Sequence, residues 1–486
     1  MNMSDNVDSI EATIPEIDTV SRLRRWANAD DRGKAINEVQ AYTDKLIART
    51  GRGMVLREAD LRGLDLSGFD LRLAVLNRAV LHGTDLSGAN LSGATIVCAG
   101  MERTLLKRAN MRGVYMHAFA AQVCDFTDAD MRDLTDATGS LFHGCFMTGV
   151  DFSGSAIAGT TFYQCIMDNT RFVRSNLQGS TINECHLGGA DLTAAQVSQL
   201  TITKCDMRGA TLNEASGEAF TLQRLLDTEG LSLSQANLPG LRIRSCTLSG
   251  LNAKSLAARE ADISAVSMPS SDFTTADLEH ARLMNVSFEN ARFSGSKLDG
   301  ALLTNCMADH TDFSGATGEN LAARESSFQH ANMTSFTARC AHFRDCNLSF
   351  AILRNAYLYR AMITGDPPKS MSMMQADLSE TTLVQSYIAG NLSGANLRGA
   401  LMVYARLNQA VLTDADLTGS SLFGASLVKT IFDDAKLDSV TGPVYSDRCS
   451  GLQQSLSAAS GESSRNLAVF VDNLEGLLTD QQRGST

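Results

Sequence analysis

Proline occurs only 6 times in this 486-residue chain, tryptophan once, and aromatic residues together make up 6%. Glycine occurs 38 times, and this balance favours one extended repeat array over the two or three ordinary domains that the length would accommodate. No apolar run reaches the roughly eighteen residues that a bilayer-spanning helix needs, which excludes such a span. The opening "MNMSDNVDSIEATIPEID" is acidic and has no positively charged segment followed by an apolar core. That absence speaks against a secretory signal, so a cytoplasmic protein is expected. A net charge of -12 argues against direct nucleic-acid binding, which relies on Lys and Arg to neutralise phosphates.

Chemical motifs are missing too. There is no CxxC, no Cys/His cluster at zinc-finger spacing, no P-loop, no GxGxxG after a strand, no nucleophile elbow and no HExxH. No catalytic residue, cofactor or metal is expected, and the chain reads as a non-enzyme. His310 and His330 lie twenty residues apart, but no further ligand converges with them.

What is present is a beat of five. Leu56, Leu61, Leu66, Leu71, Leu76, Leu81, Leu86 and Leu91 follow one another at that interval, with Ala59, Ala79 and Ala89 two residues before a centre. A helix repeats at 3.6 residues and a strand at 2, so neither accounts for it. The phase advances by one near 134–140 and slips again within 214–232. It is interrupted at 363–376 by "TGDPPKSMSMMQ" and then runs cleanly from Leu392 to Leu437.

Three segments follow. Residues 1–53 space Val20, Leu23 and Trp26, then Ile36, Val39, Tyr42 and Leu46, at helical intervals, with Gly51 and Gly53 ending the second helix. This is the helical cap that an open-ended array needs. Residues 54–440 carry the beat. Residues 441–486 read as a linker and then an amphipathic helix, with Leu467, Phe470, Val471, Leu474 and Leu478 on one stripe. That stripe would either dock on the last coil or pair with a second copy as a homodimer.

The units Ala89-Asn90-Leu91-Ser92-Gly93, Ala109-Asn110-Met111-Arg112-Gly113 and Ala395-Asn396-Leu397-Arg398-Gly399 resemble the pentapeptide-repeat family. The resemblance implies an all-β fold, a right-handed quadrilateral β-helix in which four pentapeptides make one square coil. It also implies that the central residue and the residue two before it point inward. A twenty-residue coil explains the cysteines: Cys145, Cys165, Cys185 and Cys205 fall twenty apart, with Cys124, Cys246, Cys306 and Cys346 in the same column once the slips are counted. In that column cysteine serves as a small buried hydrophobe, and free thiols suit a reducing cytoplasm. Asp70, Asn90, Asn110, Asp130, Asp151 and Asp191 precede their centres, where short polar side chains bond the turn backbone.

Function must then lie on surfaces. The leading expectation is a cytoplasmic bacterial protein acting as a rigid rod that binds or scaffolds protein partners. Family members that resemble B-form DNA and protect gyrase or topoisomerase IV from poisons supply an alternative, and secreted effectors a third. From Leu56 to Leu437 about nineteen coils would span roughly 90 Å, a length over which duplex DNA carries about fifty charges. The array holds 40 acidic and 31 basic side chains, too small an excess for mimicry along its whole length. Two local surfaces remain. Asp125, Asp128, Asp130, Asp133 and Asp136 form an acidic block, whereas "RTLLKRANMRG" and the segment with Arg339, Arg344, Arg354 and Arg360 are basic. The interruption offers rigid Pro367 and Pro368, with Met371, Met373 and Met374 as adaptable apolar contacts if exposed.

Overall fold

Leu86 and Leu91 show how a five-residue step becomes one side of a coil. Both are fully buried. The Leu86 N–H donates to the Leu105 carbonyl at 2.7 Å, and the Leu91 N–H to the Asn110 carbonyl at 2.7 Å, each in the next coil. Ala89 N–H then donates back to Leu86 at 3.0 Å and closes the turn, with Gly88 in the left-handed region at φ 65°. A side chain pays strain in that conformation and glycine does not, which is why Ser-Gly recurs at these corners. One residue of each five forms the bridge to the coils above and below, two fill the core, as Ala89 and Leu91 do, and two turn the corner.

A computed structural model describes residues 16–365, 371–459 and 469–471. The architecture is a parallel β-solenoid. The chain divides into two compact units, Met1–Leu212 and Asn213–Thr486.

In the first unit, helices α1 (Glu16–Ala27) and α2 (Arg32–Thr50) precede the coils. Asp31 caps α2 by accepting from Lys34 N, and Gly51 ends it at φ 68°. Leu23 and Trp26 are buried with Ala35, Val39 and Thr43, which lie four apart on α2. Thr43 Oγ1 donates to the Asp70 carbonyl at 2.8 Å, and the Arg32 guanidinium lies 4.2 Å from the Phe69 ring centre. The hairpin therefore covers the first coils, although Ile36, Tyr42 and Leu46 flank the buried face of α2 and do not form it. Strands Gly100–Glu102, Ala120–Gln122, Leu141–His143, Thr161–Tyr163, Thr181–Asn183 and Thr201–Thr203 stack in parallel, in that order. Beneath them Phe142 stacks on Phe162 at 5.1 Å, and Phe152 on Phe172 at 5.2 Å. Identical side chains one coil apart pack face to face because the coil imposes their register.

The second unit repeats the plan from Thr221–Gln223 to Tyr387–Ile388, with Phe273, Phe293 and Phe313 in one stack. Where the beat weakens, neighbours compensate in volume. Ala253, Ala258 and Ala308 remain fully buried, and a Cβ on Gly318 would lie 2.9 Å from the Phe336 ring. Among the described residues no helix is long and apolar enough to cross a membrane.

The slips take definite form. Asn110 pairs with Asp130 but Tyr115 with Asp136, so one extra residue enters between Asp130 and Asp136. In the second unit Leu226 bulges outward, 74% exposed. Asn347 pairs with Ser372, a step of 25 residues, and Ser372 with Asn391, a step of 19. The long step is the expected interruption. The short step is a contraction at Gly390 that the sequence reading missed.

Two expectations need correction. Met371 and Met373 are not exposed contacts: both are 0% accessible, because the solenoid resumes at Met371 and places them at inward positions. At the chain end, Val469–Val471 is a strand paired in parallel with Val444–Ser446, where a helix through Phe470 and Val471 was expected. The expected linker contains helix α3 (Leu452–Ala458). Backbone groups left open by the last coil accept a further strand, and this overrides the helical spacing of Phe470 and Val471. Pro367, Pro368, Leu467, Leu474 and Leu478 lie outside the described residues.

Candidate interaction surfaces

The polar residues before the centres serve the coil itself. Arg72, Ser92, Arg112, Arg132, Ser153 and Thr193 donate backbone N–H bonds to the Oδ1 atoms of Asp70, Asn90, Asn110, Asp130, Asp151 and Asp191, at 2.9–3.2 Å. Each side chain satisfies a corner N–H two residues on.

The acidic block is a mosaic of ion pairs in space. Lys107 reaches Asp125 at 3.1 Å, Arg108 reaches Asp128 at 3.9 Å, and Arg112 reaches Asp133 at 2.9 Å, each across one coil. Arg132 meets Asp130 at 2.6 Å, and His117 Nδ1 lies 3.3 Å from Asp136. The Arg132 guanidinium holds the Asp130 carboxyl below its ordinary range, against the opposing effect of partial burial. The basic run "RTLLKRANMRG" lies one coil before the acidic run and supplies three of these five partners.

All eleven cysteines are free thiols, and the eight expected in the column are the buried ones. Within the first unit the backbone N–H of Cys165 donates to Cys185 Sγ at 3.3 Å, and that of Cys185 to Cys205 Sγ at 3.4 Å. Hydrogen bonding to neighbouring thiols and burial push Cys145 and Cys185 up. In the second unit burial raises Cys306 to about 11 and Cys346 to about 12. Thiols raised this far stay protonated near neutrality and are poor nucleophiles.

His310 and His330 stack with ring centres 4.7 Å apart, and Phe350 continues the stack 4.8 Å from His330. Among the described residues no group of three or more His, Cys, Asp or Glu could hold a metal ion. Straight strands Asp262–Ser267 and Arg282–Ser287 border an open groove of about 640 Å³, lined by Ser245, Ala265, Asn285 and Asn305 among others. In the interruption Met374 alone of the three methionines is exposed, at 41%.

Sequence reading singled out the basic segment with Arg339 and Arg360 but missed the aromatic surface that it joins in the second unit. Exposed Tyr357 and half-buried Tyr359 stack at 6.2 Å. Arg339 and Arg360 lie 5.6 and 5.1 Å from the Tyr359 ring centre. Tyr404, 54% exposed, meets Phe423 edge-on at 5.8 Å. The signal in the sequence was the absence of Asp and Glu from 337–344, 357–364, 382–389, 401–408 and 421–428. Those windows are far apart in the chain and become neighbours only when coils are laid on one another.

Stacked parallel coils, inward pairs every five residues and side-chain ladders define a repeat protein whose outer faces are by-products of its own period. A family model described as pentapeptide repeats matches residues 55–93, 85–118, 287–317, 326–365 and 391–427 in 8 copies, and one described as pentapeptide repeat region matches 135–212. Together these matches cover about half of the chain, and it belongs to the pentapeptide-repeat family. Among solved structures it is similar to QnrB1, a plasmid-mediated fluoroquinolone resistance protein. That match has 18% identity and a TM-score of 0.29, and covers 46% of this chain and 98% of that one. HetL, involved in heterocyst differentiation regulation in the cyanobacterium Nostoc sp. strain PCC 7120, is 24% identical over 55% of this chain and 89% of its own, with a TM-score of 0.16. Rfr23 from the cyanobacterium Cyanothece 51142 is 18% identical over 33% and 85%, with a TM-score of 0.09. A comparison with curated proteins finds no match.

Proposed function

We propose that this protein is a non-enzymatic scaffold that binds protein partners through its coil faces. The observation that carries the reading is the commitment of its reactive groups to the coil. The Asx carboxylates accept turn N–H bonds, the acidic block is ion-paired, and the thiol column is buried. Solvent instead meets long ladders of side chains held one coil apart, a surface suited to recognition. The buried free thiols also support a reducing compartment such as the cytoplasm.

Protection of a topoisomerase by DNA mimicry would draw on runs of uncompensated negative charge, and four of the five aspartates of the acidic block have a Lys or Arg partner. The scaffold reading is therefore the better supported of the two. Capture on the immobilised full-length chain tests it. Saturable binding of a protein recovered chemically unchanged is expected; steady conversion of a bound molecule, or no saturable binding to any protein, would overturn it. A gyrase supercoiling assay with a poison separates the alternative, and rescue by this protein would favour mimicry.

A further inference from the structure

The tyrosine and arginine face of the second unit has a composition unlike the rest of the molecule. Its two adjoining sides run over residues 337–344, 357–364, 382–389, 401–408 and 421–428, and contain no Asp or Glu in a chain of net charge -12. Four of the chain's eight tyrosines fall there, which makes this a concentration of rings and not a scatter. The register joins the windows: Tyr357 pairs with Thr337 and Thr382, Leu401 with Thr382 and Ser421, and Tyr387 with Met362 and Arg406. The outer side chains thus form one surface on a rigid backbone.

Of its arginines Arg344 meets a carboxylate, Asp345 at 3.7 Å, and among the described residues the other three do not. Elsewhere in the unit Arg244, Arg259, Arg354 and Arg398 each meet an aspartate across a coil. Among the described residues Arg339, Arg360 and Arg406 have no carboxylate within ion-pair distance, and all three are exposed. Arg360 Nε donates to Gln385 Oε1 at 2.7 Å while its guanidinium lies beside the Tyr359 ring, which holds the side chain in place. Stacked guanidinium groups keep in-plane N–H donors available for carboxylates. Around them Tyr357, Met362, Leu401, Tyr404 and Phe423 are exposed large apolar side chains. Arginine and tyrosine beside apolar surface are the residues that carry protein interfaces.

We infer that this face binds an acidic, apolar segment of a protein partner, the arginines pairing with its carboxylates and the aromatic ladder covering its apolar side chains. The inference rests on the scaffold reading and adds the site and the chemistry of the partner. Charge complementarity selects this occupant. A second copy docked by the same face would set arginine against arginine. Three uncompensated arginines on an acidic protein give little hold on a phosphate backbone, whose binding grows with each phosphate neutralised. Polysaccharide hydroxyls would call for the carboxylate acceptors that the face lacks.

Fluorescence anisotropy with the full-length chain tests this. The probes are a labelled peptide of alternating glutamate and leucine, its lysine counterpart, an oligothymidylate and a polyuronate. Preference for the glutamate peptide is expected. It should weaken about tenfold or more in the triple variant Arg339→Gln, Arg360→Gln, Arg406→Gln, and by about twofold or less in the control triple Arg242→Gln, Arg282→Gln, Arg324→Gln. Binding should also slow alkylation of Cys340, next to Arg339, and leave exposed Cys98 unchanged. Equal losses in the two triples, no binding of the glutamate peptide, tighter binding of another probe, or self-association lost in the first triple would each overturn the inference. Saturable capture of a protein that the first triple leaves intact would overturn this site and leave the scaffold reading standing; no saturable capture at all would remove both.

Discussion

Arg112 Nε donates to Asp133 Oδ2 at 2.9 Å across 21 residues of sequence, reaching the residue that follows its own counterpart Arg132 one coil on. A basic run and an acidic run that look like separate patches in the sequence are therefore one largely neutralised surface. Both side chains are more than half exposed, so solvent screens the pair. Asp133→Asn should change stability by less than about 1 kcal/mol, measured by chemical denaturation. A larger loss would mean that the pair organises the corner and does not merely decorate it.

Gly390 is the tighter constraint. A Cβ there would lie 2.6 Å from the Met371 carbonyl oxygen and 2.9 Å from the Met371 Cβ, at the contraction that follows the interruption. Gly83 also sits at a corner, at φ 68°, but nothing lies within 4 Å of its added Cβ. Gly83→Ala should cost about 1 kcal/mol from backbone strain alone. Gly390→Ala should cost more, about 2 kcal/mol or above, because backbone must move. Equal costs in denaturation would show that the contraction tolerates a side chain.

Thiol reactivity reads out the column. Cys98 is exposed, Cys340 and Cys449 are half-buried, and the other eight are buried. Titration with a small thiol reagent should modify those three in the native protein and all eleven after unfolding. Rapid native modification of Cys306 or Cys346, which burial keeps protonated, would contradict the packing described.

Acid should destabilise the coils. The folded-state value of Asp130 is lowered, chiefly by Arg132, whereas an unfolded aspartate titrates near about 3.9. The contribution is therefore complete above that value and is lost as pH falls through the lower, folded one. Asp377 and Asp416 are also lowered: burial opposes, but bonds from Ser379 and Thr418 prevail. The thermal midpoint should drop as pH falls below about 4, and Asp130→Asn should reduce that drop. A midpoint that rises on acidification would reverse the assignment.

By itself the sequence determined which side chains point inward. The corner chemistry is local, since a centre, two turn residues and an Asx bond two residues on are all specified within five positions. Leu86, Leu91, the thiol column and the Asp70 to Asp191 ladder were therefore legible, as were the first two slips. Tertiary structure decided what lies beside what on the surface. Neighbours there are a full coil apart, and every insertion or contraction shifts the pairing: Asn347 meets Ser372 only because the interruption is absorbed, and Met371 and Met373 enter the core for the same reason. Val469–Val471 becomes a strand because the last coil offers unpaired backbone, a partner absent from any local pattern. Inward positions follow from a period, and outward relationships from the sum of every departure from it.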